Sequence, residues 1–185
     1  VAAAINNVNV REVPLAADTY ALDIEAMLRA VDEHTRLMWV CSPNNPTGNA
    51  FPLSELEQLA TRFDGVLVVD EAYIDFSDKG SMLTVLSHHP NVVVLQTLSK
   101  AWGMAGLRLG LAFASPEVAA LFAHVKYPYN VNGPTQREVM QRLATEAHDE
   151  HVAEVIRERQ ALSSALLSAS CVVRVYPSDA NFLLI

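Results

Sequence analysis

Lysine is scarce in this chain: Lys79, Lys100 and Lys126 are its only three. Lys79 sits in the polar turn Ser77-Asp78-Lys79-Gly80 and Lys126 ends a helical pattern, whereas Lys100 follows the apolar β-branched run that starts at Val92. A lysine amine is protonated in water. It becomes a nucleophile where desolvation and positive neighbours remove that proton, which the end of a buried strand provides. Asp70 ends a second such run, Val66-Leu67-Val68-Val69, and opens Asp70-Glu71-Ala72-Tyr73. A carboxylate there is costly unless a cation meets it. A third segment, Ser42-Pro43-Asn44-Asn45-Pro46-Thr47-Gly48, follows a third apolar run, and Thr97-Leu98-Ser99-Lys100 continues into Gly106-Leu107-Arg108.

Amine, carboxylate, phenol, amide, hydroxyl and guanidinium together match the needs of a phosphorylated pyridinium aldehyde. Such a group requires an amine for a Schiff base, an anion at the ring nitrogen, donors for the ring oxygen and a clamp for the phosphate. Lys100 and Asp70 suit the first two, Tyr73 and Asn45 can donate to the oxygen, and Ser99 with the rigid fork of Arg108 suits a phosphate dianion. Each motif alone has a blander reading. Asp-Glu-Ala-Tyr is an ordinary strand-to-loop junction, Ser-Lys a helix cap with a surface lysine, and Asn-Asn-Pro-Thr-Gly simply a good turn. Their shared placement at successive strand ends favours the functional reading.

The elements that must position these residues follow from periodicity. Residues 8–13, 36–41, 66–70, 92–97 and 109–114 read as strands, several of them apolar on both faces as in a covered parallel sheet. Residues 24–31, 53–63 and 116–125 carry helical spacing, and Ser54 with Glu57 forms a capping-box pattern after Pro52. Alternating strands and helices predict an α/β fold, a mostly parallel sheet with helices on both faces. In such sheets ligands bind beyond the carboxyl ends of the strands. From Asn132 and Pro134 a helical pattern runs to about Ser170 with one break near His148. Residues 172–176 and 181–185 then read as strands. The division expected is residues 1–145 as a large cofactor-binding domain, incomplete at its N-terminus, and residues 146–185 as a long helix and first strands entering a smaller, incomplete α+β C-terminal domain.

With 185 residues, 51% of them hydrophobic, the chain can bury one core. A net charge of −8 opposes sequence-independent binding to nucleic acid. No stretch approaches the ~18 apolar residues of a membrane span and no basic-then-apolar leader precedes the first strand pattern, so the expected location is cytoplasmic, off the membrane. Cys41 and Cys171 match neither a disulfide framework nor a metal site. His148 and His151, flanking Asp149-Glu150, read as a solvated helix terminus, and His88-His89 as a turn. Gly103, Gly106 and Gly110 do not make a dinucleotide fingerprint. Trp102 reads as packing and Asn130 as a weak site candidate.

The segments at 42–48 (SPNNPTG), 69–76 (VDEAYIDF), 97–110 (TLSKAWGMAGLRLG), 127–132 (YPYNVN) and 175–184 (VYPSDANFLL) resemble the fold-type-I, class-II pyridoxal-phosphate-dependent aminotransferases, and most closely the histidinol-phosphate aminotransferase family. The resemblance implies an aspartate-aminotransferase-like large domain with pyridoxal 5'-phosphate as cofactor and no metal. It implies three catalytic residues: Lys100 as tether and general base, Asp70 at the pyridine nitrogen and Tyr73, with Asn45, at the ring oxygen. Ser99 and Arg108 would hold the phosphate, helped by Thr97. The implied reaction moves an amino group between histidinol phosphate and 2-oxoglutarate, yielding glutamate, in histidine biosynthesis, by a homodimer. The family's glycine-containing phosphate loop and substrate-gripping aromatics would precede Val1, and its substrate arginine would follow Ile185. A 185-residue piece is therefore expected not to turn over by itself. Two alternatives share the motifs: another reaction of the same cofactor, as in threonine-phosphate decarboxylases or aromatic aminotransferases, and an aminotransferase-like regulatory domain.

Overall fold

Valine and leucine dominate four short runs because their side chains alternate between two covered faces of a sheet. Leu37–Cys41 (β1), Val66–Asp70 (β2), Val92–Thr97 (β3) and Gly110–Phe113 (β4) are the strands in a computed structural model describing residues 2–145 and 148–185. They form one sheet in the order β1-β2-β3-β4, parallel from β1 to β3, with β4 antiparallel at the edge. The mostly parallel α/β expectation holds. β2 and β3 are buried on both sides: Leu67, Val69, Val92 and Val94 are 0% exposed on one, Val68 and Val93 5% and 1% on the other.

The first of these faces packs against α2 (Ile24–Arg29) and α3 (Leu53–Arg62) in a single cluster that includes Met38, Val40, Leu56, Leu59 and Phe63. Leu56, Leu59 and Ala60 of α3 recur at helical spacing and form its buried stripe. Asp23 caps α2 by accepting from the Ala26 N–H at 2.8 Å. The Asn91 amide donates to the carbonyls of Ala60, Phe63 and Gly65 at 2.9, 3.1 and 3.2 Å, which ties the exit of α3 to the start of β3. On the opposite face of edge strand β1, Leu37 and Trp39 are about half exposed. Beyond β4 come α4 (Pro116–Val125), lying on the surface, then α5 (Gly133–Thr145) and α6 (His148–Leu167). Asn132 caps α5 through the Thr135 N–H at 2.9 Å. The expected boundary at 145/146 lies outside the described residues. Among those residues no helix is long and apolar enough to cross a membrane.

Three local expectations fail. Residues 8–13 are not a strand: Val8 and Val10 are exposed, and Arg11 fixes the segment by its side chain, donating to the Ala30 carbonyl at 2.7 Å and pairing with Asp32. Alternation makes a strand only where another backbone offers its edge, and none does so here among the described residues. Residues 172–176 and 181–185 are not strands: among the described residues one ladder-like bond joins them, Tyr176 N–H to Leu184 C=O at 2.9 Å, and the residues between bond elsewhere, Asp179 N–H to the Gly48 carbonyl and Ser178 Oγ to the Phe182 carbonyl. The Ser54–Glu57 box does not close. Pro52 occupies the N-cap with no side-chain bond, so Ser54 already lies within the helix. A four-residue helix at Ala2–Ile5 (α1) carries no signal in the periodicity.

Leu59 is 0% exposed in the centre of the α3 contact. Leu59→Ala is expected to lower unfolding free energy by about 2–5 kcal/mol, against less than about 0.5 kcal/mol for exposed Gln58→Ala. Denaturant melts of the two variants check it.

Candidate active site

The loop after β1 is shaped by its own side chains. Asn44 Nδ2 donates to Thr47 Oγ1 at 2.7 Å, and Thr47 Oγ1 donates to Asn49 Oδ1 at 2.6 Å. Gly48 takes φ +81, a left-handed conformation glycine adopts at no steric cost. Buried Ser42 docks the loop on the sheet: its N–H donates to the Asp70 carbonyl at 2.9 Å and its Oγ accepts from the Phe51 N–H at 3.0 Å. Asn45 is left exposed at the tip.

β2 delivers Asp70 at its last position, where Oδ1 accepts from the Ala72 N–H at 3.2 Å. The chain then turns through a 3₁₀ segment at Ile74–Phe76 that buries the Tyr73 ring, with 9% exposed. Asn45 Nδ2 donates to the Tyr73 hydroxyl at 3.0 Å. β3 ends at Thr97, whose Oγ1 accepts from the Ser99 N–H at 3.1 Å. Leu98 and Ala101 are buried on either side of Ser99 and Lys100, so the apolar members of the turn anchor it and the polar ones face out. The Lys100 Nζ lies 5.2 Å from the Tyr73 ring centroid.

Register places the rest. Asp70 pairs with Cys41 on one side and Leu95 on the other, and since side chains alternate, Asp70 and Thr97 share a sheet face. Burial, reinforced by the Asp70 carboxylate, pushes the Cys41 thiol up, so this neighbour stays an uncharged thiol. Asn45 and Lys100 therefore both approach Tyr73, with Asp70, Thr97 and Ser99 at adjoining strand ends. Arg108 stands apart. Its backbone is left-handed at φ 54, and its guanidinium donates to the Ala105 carbonyl of its own turn at 2.9 Å rather than to any of the other six.

The family model for aminotransferase class I and II matches residues 1–185. The chain belongs to that family. It is 49% identical over its whole length to a histidinol-phosphate aminotransferase of Parabacteroides distasonis, of which it covers 54%. It superposes with TM-score 0.88 and 27% identity on a histidinol-phosphate aminotransferase of Sinorhizobium meliloti solved in complex with pyridoxal-5'-phosphate, covering 98% of this chain and 50% of that one. An aspartate aminotransferase mutant of Thermus thermophilus aligns over 90% of this chain and 48% of its own, at TM-score 0.73 and 27% identity. The chain thus spans about half the length of such family members.

Two further residues of this family member are tied to these loops: Glu71, which carries no signal in periodicity or motif, and His148, which is not the solvated helix terminus expected. Glu71, 1% exposed, accepts from Ser81 Oγ at 2.6 Å, the Met82 N–H at 2.7 Å and Gln96 Nε2 at 2.9 Å, so one carboxylate joins the turn carrying Asp70 and Tyr73 to the strand carrying Thr97. The available signal was position: a strand-end acid pair cannot turn both carboxylates to one face. His148, read as solvated, is instead stacked on Trp102 at 4.0 Å, with Nε2 3.3 Å from Asp75 Oδ1. That nitrogen is near enough for an ion pair when protonated but is not aligned for a hydrogen bond. Trp102 packs, as expected, and so fixes the residues just after Lys100 against the start of α6.

Burial pushes the Glu71 carboxyl up, against its three donors. A folded-state value above the unfolded one means that its stabilising contribution is complete below the unfolded pKa and declines as pH rises through the folded one. The melting temperature of wild type relative to Glu71→Gln is therefore expected to fall as pH climbs above the ordinary glutamate range. Glu71→Leu, which strands the Gln96 and Met82 donors, should cost about 1–3 kcal/mol more than Gln at any pH. Thermal melts across pH check both.

Proposed function

We propose that this chain carries the cofactor chemistry of a histidinol-phosphate aminotransferase, moving an amino group between histidinol phosphate and 2-oxoglutarate with pyridoxal phosphate as cofactor. One observation carries the reading: the Lys100 amine approaches the buried Tyr73 ring, whose hydroxyl already receives Asn45, beside the strand end bearing Asp70. The donor set fits the cofactor. With the Tyr73 oxygen accepting from Asn45, the phenol proton is left to be donated outward, and Asn45 retains a second amide hydrogen, so both can serve one ring oxygen. Among the described residues Asp70 commits only Oδ1, to Ala72, which would leave Oδ2 to hold a proton on the ring nitrogen.

When bound, the protonated pyridine ring supplies an electron sink for a carbanion at the substrate carbon. Lys100 would hold the cofactor by condensing its Nζ with the aldehyde carbon, with loss of water, and, once displaced by the substrate amine, would take and return the proton at the substrate carbon. Thr97 Oγ1 pins the Ser99 N–H, which orients the Ser99 hydroxyl for the phosphate. Arg108, whose guanidinium is bonded to the Ala105 carbonyl, would have to release that bond to hold the same dianion with its fork. Substrate identity rests on the names of the relatives and on 49% identity to one of them. The same reading makes residues 1–145 part of the large domain and 146–185 the approach to a smaller one, in a cytoplasmic homodimer acting on small molecules.

Loading the complete polypeptide with pyridoxal phosphate, reducing it with borohydride and mapping the labelled peptide should place the adduct on Lys100. Label on Lys79 or Lys126 refutes the site. Lys100→Ala should lower turnover by at least about 10²-fold. Release of carbon dioxide, or preference for aromatic amino acids over histidinol phosphate, would overturn the substrate assignment while sparing the cofactor site.

A further inference from the structure

The turn at residues 178–182 lies outside the chemistry described above, yet it touches both members of the Asn45–Tyr73 pair's support. The Asp179 N–H donates to the Gly48 carbonyl at 2.7 Å, and Asp179 Oδ2 accepts from the Ala50 N–H at 2.8 Å, so one residue grips the returning limb of the loop that presents Asn45. Ser178 completes the grip. Its Oγ stands 2.8 Å from where a Cβ on Gly48 would be, donates to the Phe182 carbonyl at 2.6 Å and accepts from the Ala180 N–H at 3.1 Å. From the same turn the Phe182 ring meets Tyr73 edge-on, with centroids 5.3 Å apart and planes at 84°.

The turn is itself anchored. Ala180 is 0% exposed and packs in one cluster with Tyr73, Phe76 and Ala101, the residue after Lys100. Arg159 of α6 donates to the Ala180 carbonyl at 2.6 Å and to that of Phe76 at 3.4 Å. The bonds among Asn44, Thr47 and Asn49 set the shape of the loop but cannot set where its tip stands relative to Tyr73. That placement comes from Ser42 on the sheet, from Asn49 Nδ2 donating to the Tyr20 carbonyl at 3.0 Å, and from Asp179. Of these, Asp179 alone belongs to a turn that also packs on Tyr73.

We infer that Asp179 is a positioning residue: through Gly48 and Ala50 it sets Asn45 against Tyr73, so that both donors reach one ligand oxygen. The inference rests on the cofactor reading above. Asp179 takes a neutral N–H with a single oxygen, so an asparagine, which keeps an acceptor oxygen, can replace it, and an alanine cannot. If the two donors drift apart, the oxyanion of the ring is less stabilised, and the conjugated nitrogen at the Lys100 attachment holds its proton more tightly.

The test uses the complete polypeptide and pyridoxal phosphate itself, with two readouts: the dissociation constant from absorbance titration, and the pH midpoint at which the bound cofactor's absorption band changes. Asp179→Ala is expected to weaken cofactor binding about tenfold and to move the midpoint upward, with Asp179→Asn within about twofold of wild type on the former. Wild-type affinity and midpoint in Asp179→Ala, even with a lowered melting temperature, overturn the inference, as does Asp179→Asn behaving like Ala. Should Asp179→Ala fail to fold, Asp179→Ser, which withdraws the acceptor from the Ala50 N–H and keeps the backbone bond to Gly48, takes its place. It should shift the midpoint in the same direction, and an unmoved midpoint overturns the inference. A wild-type protein that takes up no cofactor overturns the cofactor reading and this inference with it, an outcome plainly separate from normal uptake by every variant.

Discussion

Parallel pairing is the constraint from which the site follows. β1, β2 and β3 run the same way, with Cys41 opposite Asp70 and Asp70 opposite Leu95, so the chain leaves all three strands at one edge of the sheet. Each crossover must return to the opposite edge before the next strand begins, and the loops just after the strands therefore accumulate together. The interior of β2 and β3 is covered on both faces and admits almost nothing polar. Polar chemistry is thus excluded from the strands and concentrated where they end, at Asp70 on one and Thr97 to Lys100 on the next.

Concentrating polar groups at a strand edge creates a second problem, since some must be buried to hold the others still. Glu71 shows the solution. Its carboxylate, taken out of water, is met by a hydroxyl, a backbone N–H and a side-chain amide, and these come from the following turn and from β3. A group costly to bury becomes the link between two strand ends. Tyr73 solves the same problem differently, sinking its ring among Phe76, Ala101, Val152 and Ala180 while its oxygen stays available to Asn45.

What could be read beforehand was whatever depends on neighbours in sequence. β1 to β4, α3 and α4 came from runs and spacing within a residue or two, because burial of both sheet faces or of one helix stripe leaves a local pattern. Residues 8–13 carried the alternation without the partner, and no local pattern says whether a partner edge exists. The Ser54–Glu57 pattern was overridden because Pro52, with its fixed φ, moved the helix start upstream of the serine. Of the seven candidate site residues, Asn45 and Lys100 both approach Tyr73, and Asp70, Thr97 and Ser99 sit at neighbouring strand ends. Arg108 keeps to its own turn. Glu71 and Asp179 went unread, and His148 was misread as solvated, because their partners lie 10 or more positions away for Glu71, 129 for Asp179 with Ala50, and in the turns after β2 and β3 for His148.

The division of labour between near and far residues has a physical origin. Reactive groups need particular atoms, and short motifs such as Asp70 to Tyr73 or Ser99-Lys100 specify atoms. Distances between those groups are set by whatever prevents their loops from moving, and a loop exposed at its tip can be held only from behind. Here that support comes from segments with no reactive role: the 178–182 turn, Arg159 on α6, and the His148–Trp102 stack. α6 is therefore more than a connection to later residues. By burying Val152 against Tyr73 and Ala101, and by holding the Ala180 carbonyl through Arg159, it closes the rear of the site that the sheet opens at its front.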